Sequence, residues 1–154
     1  MGKLKLSIQG LDPDKTAIAH GRDLRVSYKH AREICAELKG KYIEEAQEYL
    51  DEVIQMKRAV PFRRYRLKVG HRKGLNKWPS GRYPVKAAHH IRKVIDNAEN
   101  NAVFKGLDTS RLRIKRILAQ KGAKTKGAMP RAQGRSSPKV MTLVMIECVV
   151  EEES

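Results

Sequence analysis

Residues 122–139, GAKTKGAMPRAQGRSSPK, hold three glycines, two prolines and five Lys or Arg, with no acid and no aromatic. They separate two apolar-patterned segments, 112–119 and 140–150, that each read as a β-strand. A connection this long and aperiodic is uncommon inside a compact domain, and where it occurs it is usually functional or disordered. It has almost no apolar area to offset the entropy of being ordered. The expectation is that a partner orders it, and its charge says the partner is anionic. If both strands run on to a turn near residues 130–134, each arm covers about 20 residues at ~3.3 Å, or ~65 Å. A domain body of about 100 residues has a radius of gyration of only ~13 Å, so much of the hairpin must project.

The rest of the chain sharpens the charge argument. The formal net charge is +16 over 154 residues. Residues 53–95 carry thirteen Lys or Arg and residues 109–146 ten more, with no Asp or Glu in either stretch. Those stretches take 23 of the 33 basic residues, which leaves ten against all 17 acids, a remainder of −7. Segregation of this kind describes a body with two basic surfaces. Such surfaces repel themselves unless a polyanion neutralises them, with nucleic acid the first candidate and an anionic membrane the second.

Membrane binding needs a basic amphipathic helix with bulky apolar anchors, and the basic stretches here are mostly not helical. The segment MGKLKLSIQGLDPD lacks the apolar run of a signal peptide, and no window approaches the ~18 apolar residues of a span. Cys35 and Cys148 are too few and too far apart for a disulfide scaffold or a cysteine zinc site, and they read as small core hydrophobes in a reducing, cytoplasmic setting.

In chain order, residues 1–15 read as an extension ending in a turn at Pro13. A short strand follows from Ala17 towards Val26. Ser27 is placed to cap a helix whose Ala31, Ile34, Cys35 and Leu38 recur at helical spacing, with Gly40 as its stop. A second helix over 43–56 lines up Ile43, Ala46, Leu50, Val53 and Ile54 opposite an acidic face of Glu44, Glu45, Glu48, Asp51 and Glu52.

Residues 57–83 then read as an irregular basic excursion, outside the core, with Phe62, Tyr65, Trp78 and Tyr83 interleaved among cations. That mixture suits stacking on unpaired bases while cations hold phosphates, although the same aromatics would serve as anchors to the body. Pro84 opens a third helix ending near Lys105, with Ala88, Ile91, Ile95, Ala98 and Ala102 as its stripe. In the last third Leu112, Ile114, Ile117 and Leu118 oppose Arg111, Arg113 and Lys115. The return arm is more continuously apolar and therefore more buried, and EEES closes the chain as a solvated acidic tail. The fold class expected is α+β: a small antiparallel sheet of about three strands on three helices, with a protruding β-hairpin.

Catalysis finds little support. His89 and His90 are adjacent on a helix, so their side chains diverge by ~100°. The basic regions lack the carboxylates that a nuclease needs for acid–base work or metal, and no phosphate-loop, dinucleotide or HExxH motif occurs. No enzyme, cofactor or metal is expected.

Residues 129–135, MPRAQGR, set in a long basic hairpin that closes the chain, look like the signature of the ribosomal protein L-twenty-two family, whose eukaryotic members are called L-seventeen. The resemblance runs from about Ala17 to Val150 and takes in Ser27 with Ala31–Arg32 and the run Asn97-Ala98-Glu99-Asn100-Asn101. The basic excursion resembles the archaeal and eukaryotic branch, since bacterial members lack it. One departure lies in the final strand, where Met145 stands at a position that tends to be polar in the family. The resemblance implies a structural constituent of the large subunit, with ribosomal RNA, neighbouring ribosomal proteins and the nascent polypeptide as partners, and no obligate homo-oligomer. It implies a hairpin that threads through RNA, with Met129, Arg131, Ala132, Gly134 and Arg135 at the peptide exit tunnel.

The RNA-binding residues expected are Arg63, Arg64, Arg66, Lys68, Arg72, Lys73, Lys77, Trp78, Arg82 and Lys86 from the excursion side. From the hairpin they are Arg111, Arg113, Lys115, Lys121, Lys124, Lys126, Arg131, Arg135 and Lys139. A free nucleic-acid-binding chaperone or regulator would use the same surfaces and is the alternative.

Overall fold

The computed structural model describes residues 7–153. Its order is β1 (Thr16–Leu24), α1 (Tyr28–Leu38), α2 (Ile43–Ile54), β2 (Val60–Pro61), β3 (Gly81–Arg82), α3 (Val85–Phe104), β4 (Leu112–Pro130) and β5 (Ser136–Glu152). The fold is the α+β arrangement expected: three helices against an antiparallel sheet in the order β1-β5-β4, with a two-residue β2-β3 ribbon beside it. β5 has a neighbour on both edges, and its Val144, Ile146, Cys148 and Val150 are buried against the helices. α3 lies across β1 and β5, α1 covers β4, and α2 packs on α3.

The stripe read on α3 is its buried face, with Ala87 and Val94 added. Both helices closed by glycine end as their sequences imply, Gly40 and Gly106 standing at φ of 83° and 77°. Ser27 occupies the N-cap position of α1 and its carbonyl accepts from the Ala31 N–H at 2.9 Å, but its hydroxyl makes no cap bond. α2 stops two residues earlier than its pattern reads, because Met56 turns left-handed at φ 58°. Cys35 and Cys148 both lie in the core, and burial pushes both thiols up, Cys148 to about 12, so neither is a reactive nucleophile.

β4 does not keep strict alternation, and the reason is a bulge. Ile114 pairs with Val150 and Arg116 with Val149, so Lys115 is an extra residue on β4. The insertion moves the inward face from Leu112 and Ile114 to Ile117, all three of which are buried. A second shift falls between Lys121 and Lys124, where the ladder leaves the body. There a Cβ on Gly122 would meet the Leu143 carbonyl oxygen at 3.3 Å, so the backbones approach closely.

Two expectations need correction, and a third gains detail. Residues 57–83 are not wholly outside the core, for Ala59, Val60 and Phe62 are buried in it. The closing acids are not a loose tail. Glu151 and Glu152 belong to β5, the Lys115 Nζ donates to Glu151 at 2.6 Å, and Glu153 accepts from Tyr42 and Arg113 at 2.6 and 3.0 Å. Those two partners, Tyr42 first, hold the Glu153 carboxyl below its ordinary range. The described part of the leading extension is tied down as well. Ser7 Oγ donates to the buried Glu147 at 2.8 Å, and Lys105 Nζ donates to the Pro13 and Thr16 carbonyls. Residues 1–6 and Ser154 lie outside the described residues.

Ile117 faces the core only because Lys115 is an extra residue, and replacing Ile117 by Ala would remove a buried side chain at a cost of about 2–5 kcal/mol. The Ile117→Ala variant is expected to unfold at a correspondingly lower urea midpoint, and an unchanged midpoint would mean that the bulge does not carry Ile117 into the core.

Candidate nucleic-acid interface

The ladder that starts in the core continues well past it. Beyond Lys121 the pairs Lys124–Thr142, Lys126–Val140, Ala128–Pro138 and Pro130–Ser136 remain in antiparallel register. Residues 122–139 are thus mostly the outer half of a two-stranded ribbon rather than an irregular connection. What orders them is backbone hydrogen bonding, which requires no apolar side chains. From Lys124 to Arg135 every side chain is exposed. From Ala119, the last β4 residue packed on the core, to Pro130 the ribbon spans eleven steps of ~3.3 Å, or ~35 Å.

The tip closes through residues 131–135. The Arg131 N–H donates to the Arg135 carbonyl at 2.8 Å, and Ala132–Gly134 form a 3-10 turn. Gln133 and Gly134 both take left-handed backbone, at φ 58° and 66°. Glycine adopts that conformation without strain, and the tight end of the ribbon depends on it. Of the tip residues, Met129, Arg131, Ala132, Gly134 and Arg135 are all exposed at the far end.

Six cations line the ribbon and its tip: Lys121, Lys124, Lys126, Arg131, Arg135 and Lys139. None forms an ion pair among the described residues, since the eight ion pairs found all lie in the body or the excursion. At the body end the picture reverses. Arg111 faces Asp108, Arg113 pairs with Glu153 and Lys115 with Glu151, so three of the four bases at the root have their charge opposed locally, Arg116 being the exception. The ribbon is therefore electrostatically graded, largely compensated at its root and uncompensated at its tip.

The excursion is a folded loop rather than a free one. Its two ends meet in the β2-β3 ribbon, the Phe62 N–H donates to the Ser80 carbonyl at 2.9 Å, and Trp78 Nε1 donates to the Phe62 carbonyl at 2.9 Å. Gly81 is closely packed: a Cβ there would lie 2.5 Å from Leu75 Cδ1, which would have to swing away, and 3.1 Å from the Val60 oxygen. Trp78, read from sequence as an RNA contact, thus clasps the loop while its half-buried ring lies beneath Arg66. Arg64, Arg66, Lys68, Arg72, Lys73, Lys77, Arg82 and Lys86 are exposed and have no carboxylate partner among the described residues, whereas Arg63 pairs with Glu37 at 3.0 Å.

The residue that sets the path of this loop was not singled out by sequence reasoning. Glu33, on α1, is 1 % exposed, and its carboxylate accepts the backbone N–H groups of Arg63, Arg64 and Tyr65 at 3.2, 3.1 and 3.0 Å. Its only sequence signal is an acid falling among Ala31, Ile34 and Cys35 on the apolar face of a helix. A buried carboxylate needs this much compensation to remain there. By holding three consecutive amides it turns the neighbouring basic side chains outward.

His89 is exposed and His90 half-buried, with ring centroids 6.2 Å apart, and no group of three or more potential metal ligands occurs among the described residues. Among the described residues no helix is long and apolar enough to cross a membrane. What remains is a cationic ribbon and a cationic loop, both shaped by backbone bonds and both suited to phosphate.

Comparison with known proteins agrees with that chemistry. The family model described as "Ribosomal protein L22p/L17e" matches residues 19–151. The chain belongs to this family of ribosomal proteins. Among its relatives, the large ribosomal subunit protein uL22 of Methanocaldococcus jannaschii is 53% identical over 152 residues, covering 99% of this chain and 97% of that protein. The uL22 protein of Archaeoglobus fulgidus is 46% identical over 151 residues, covering 98% and 97%. That of Methanopyrus kandleri is 48% identical over 143 residues, covering 92% and 90%. The archaeal-type branch read from the excursion fits these relatives, and the family is one of ribosomal proteins rather than enzymes.

Two outcomes follow from the geometry. Replacing Glu33 by Ala leaves three partly buried donors without their acceptor, which should cost about 1–3 kcal/mol in a urea titration. Retention of wild-type stability would show that the loop is held elsewhere. In the free protein, amides 124–139 should exchange with solvent far faster than those of residues 144–150, since no apolar layer covers the outer ladder. Equal protection of the two would contradict that account.

Proposed function

We propose that this protein binds large-subunit ribosomal RNA through its ribbon and excursion, supports the assembly of that RNA, and lines the nascent-peptide exit tunnel with its hairpin tip. The observation that carries the reading is the graded ribbon: six cations with no carboxylate partner among the described residues, on a structure about two strands wide, rooted in a folded body. A ribbon is the narrowest shape in which a chain satisfies its own backbone hydrogen bonds, so it fits between RNA helices that exclude a helix pair or a sheet. Unpaired Lys and Arg along it displace counterions from several phosphates at once. Contacts of this kind respond to shape and phosphate more than to base sequence.

Arg131 and Arg135 sit at the tip beside Met129, Ala132 and Gly134, and this group is what the tunnel would present to a growing polypeptide. Arg111, Arg113 and Lys115 have the weaker claim to RNA because their own acids already oppose them. The acidic face of α2 turns to protein neighbours or solvent, and with the particle the protein would reside in the cytoplasm. Family membership supports the assignment to the large subunit over a free chaperone or regulator.

Sedimentation of cell extract tests the reading. The protein should co-migrate with large subunits and stay with them at moderate salt. Replacing both Arg131 and Arg135 by Glu should reduce incorporation into mature subunits severalfold while the circular dichroism of the isolated protein is unchanged. Normal incorporation and normal translation with the double variant would reject the role given to the tip, and a wild-type protein found only in light fractions would reject the ribosomal role.

A further inference from the structure

One of the aromatics of the excursion has a setting that its sequence does not show. Tyr65 leaves the excursion next to the start of α1 and stands between two clefts. On one side is a cavity of about 250 Å³, walled among others by Lys29, His30, Phe62, Leu67 and Arg82. On the other is a more open one of about 660 Å³, walled among others by Arg25, Tyr28, Lys29, Lys121 and Met141. Tyr65 and Lys29 belong to both, and neither wall contains a carboxylate.

The groups around Tyr65 divide into flat rings inside and cations at the rim. Tyr28 meets Tyr65 edge-on at 6.4 Å between centroids, and His30 meets Phe62 edge-on at 5.4 Å. Lys29 Nζ stands 5.5 Å from the Tyr65 centroid, with the guanidinium carbons of Arg64 and Arg32 at 5.9 and 6.0 Å, and Lys121 Nζ lies 5.2 Å from the Tyr28 centroid. Burial and then the nearby Arg82 lower the His30 pKa, so its imidazole is neutral at pH 7, with one nitrogen to donate and one to accept. Leu67, at the mouth of the smaller cleft, is 88% exposed, a large apolar side chain with no protein cover.

Aromatic and apolar walls inside an all-cationic rim match a ligand that is flat and apolar on its faces and anionic along its backbone, which is single-stranded nucleic acid. A lipid surface would meet a convex apolar face, and these are recesses. We propose that the two clefts seat an unpaired stretch of RNA, with Tyr65 as the partition between successive bases. Lys29, Arg64 and Lys121 would hold its phosphates. The inference rests on the RNA-binding role proposed above and adds a base-binding site to it. Because Lys121 also roots the ribbon, an RNA strand seated here would run on to the ribbon's edge.

Full-length protein, titrated with a labelled oligouridylate of about twelve nucleotides and with an RNA duplex of the same length, tests the proposal. Removing one stacking platform typically weakens single-strand binding by about fivefold or more. Tyr65→Leu should do so for the oligouridylate, change duplex binding less than about twofold, and leave the salt dependence unaltered, because no phosphate contact is lost. Leu67→Glu, at an exposed position that keeps the test open should Tyr65→Leu fold poorly, should weaken oligouridylate binding more than duplex binding. If both folded variants bind oligouridylate within about twofold of wild type while Arg131→Gln with Arg135→Gln binds more weakly, the clefts are not a base site and the RNA-binding role stands. Displacement of the oligouridylate by an equimolar phosphopeptide would likewise overturn the assignment to RNA. Failure of the wild-type protein to bind either RNA would overturn the role itself.

Discussion

The β4–β5 ladder carries two different loads along its length. In its inner half it is the middle of a core: Ile114, Ile117, Ile146, Cys148 and Val150 are buried, and the pairing is reinforced from both faces and by β1 on the far edge of β5. In its outer half the same hydrogen bonds continue with no apolar layer and no third strand. An isolated two-stranded ribbon is marginally stable in water. The outer ladder therefore holds its direction because the inner ladder fixes its register, and the bulge at Lys115 together with the shift after Lys121 determines how it leaves the body.

Charge follows the same division. Carboxylates of the body have nearby donors: Glu33 holds the amides of the excursion, Glu147 holds Ser7, and Glu151 and Glu153 oppose the bases at the hairpin's root. Among the described residues the cations of the outer ribbon have no acid partner, and in the excursion only Arg58 and Arg63 have one. Like charges on a thin ribbon repel, and little buried area offsets that repulsion, so the proposed phosphate partners would stabilise an arrangement that the ladder bonds already shape.

Much of this was legible in the sequence because the helices and the core strands announce themselves by periodicity. Ala88, Ile91, Ile95, Ala98 and Ala102 gave the buried face of α3, and the apolar run after Val140 marked the central strand. Other features carry no periodic signal. The outer ribbon reads as a loop because ladder bonds are made by backbone, and alternation is visible only where one face is buried. The bulge at Lys115 appears in sequence merely as a slip from Ile114 to Ile117. Glu33 passes unnoticed in the sequence, and the closing glutamates read as a tail, for a common reason: an acid in sequence looks solvated until the donors that meet it, distant along the chain, are known. Trp78 and Phe62 share that difficulty, since whether an aromatic anchors a loop or awaits a base depends on contacts that only the folded chain defines.

The proposed function turns on RNA phosphates compensating the outer ribbon's cations, which have no acid partner among the described residues. A density map of native large subunits containing this chain tests it most directly. The account predicts phosphate groups within ion-pair distance of Lys124, Lys126, Arg131, Arg135 and Lys139, with the ribbon standing clear of its own helices. A map in which residues 124–139 lie folded against the body, or extend into solvent with no phosphate near those side chains, would contradict it.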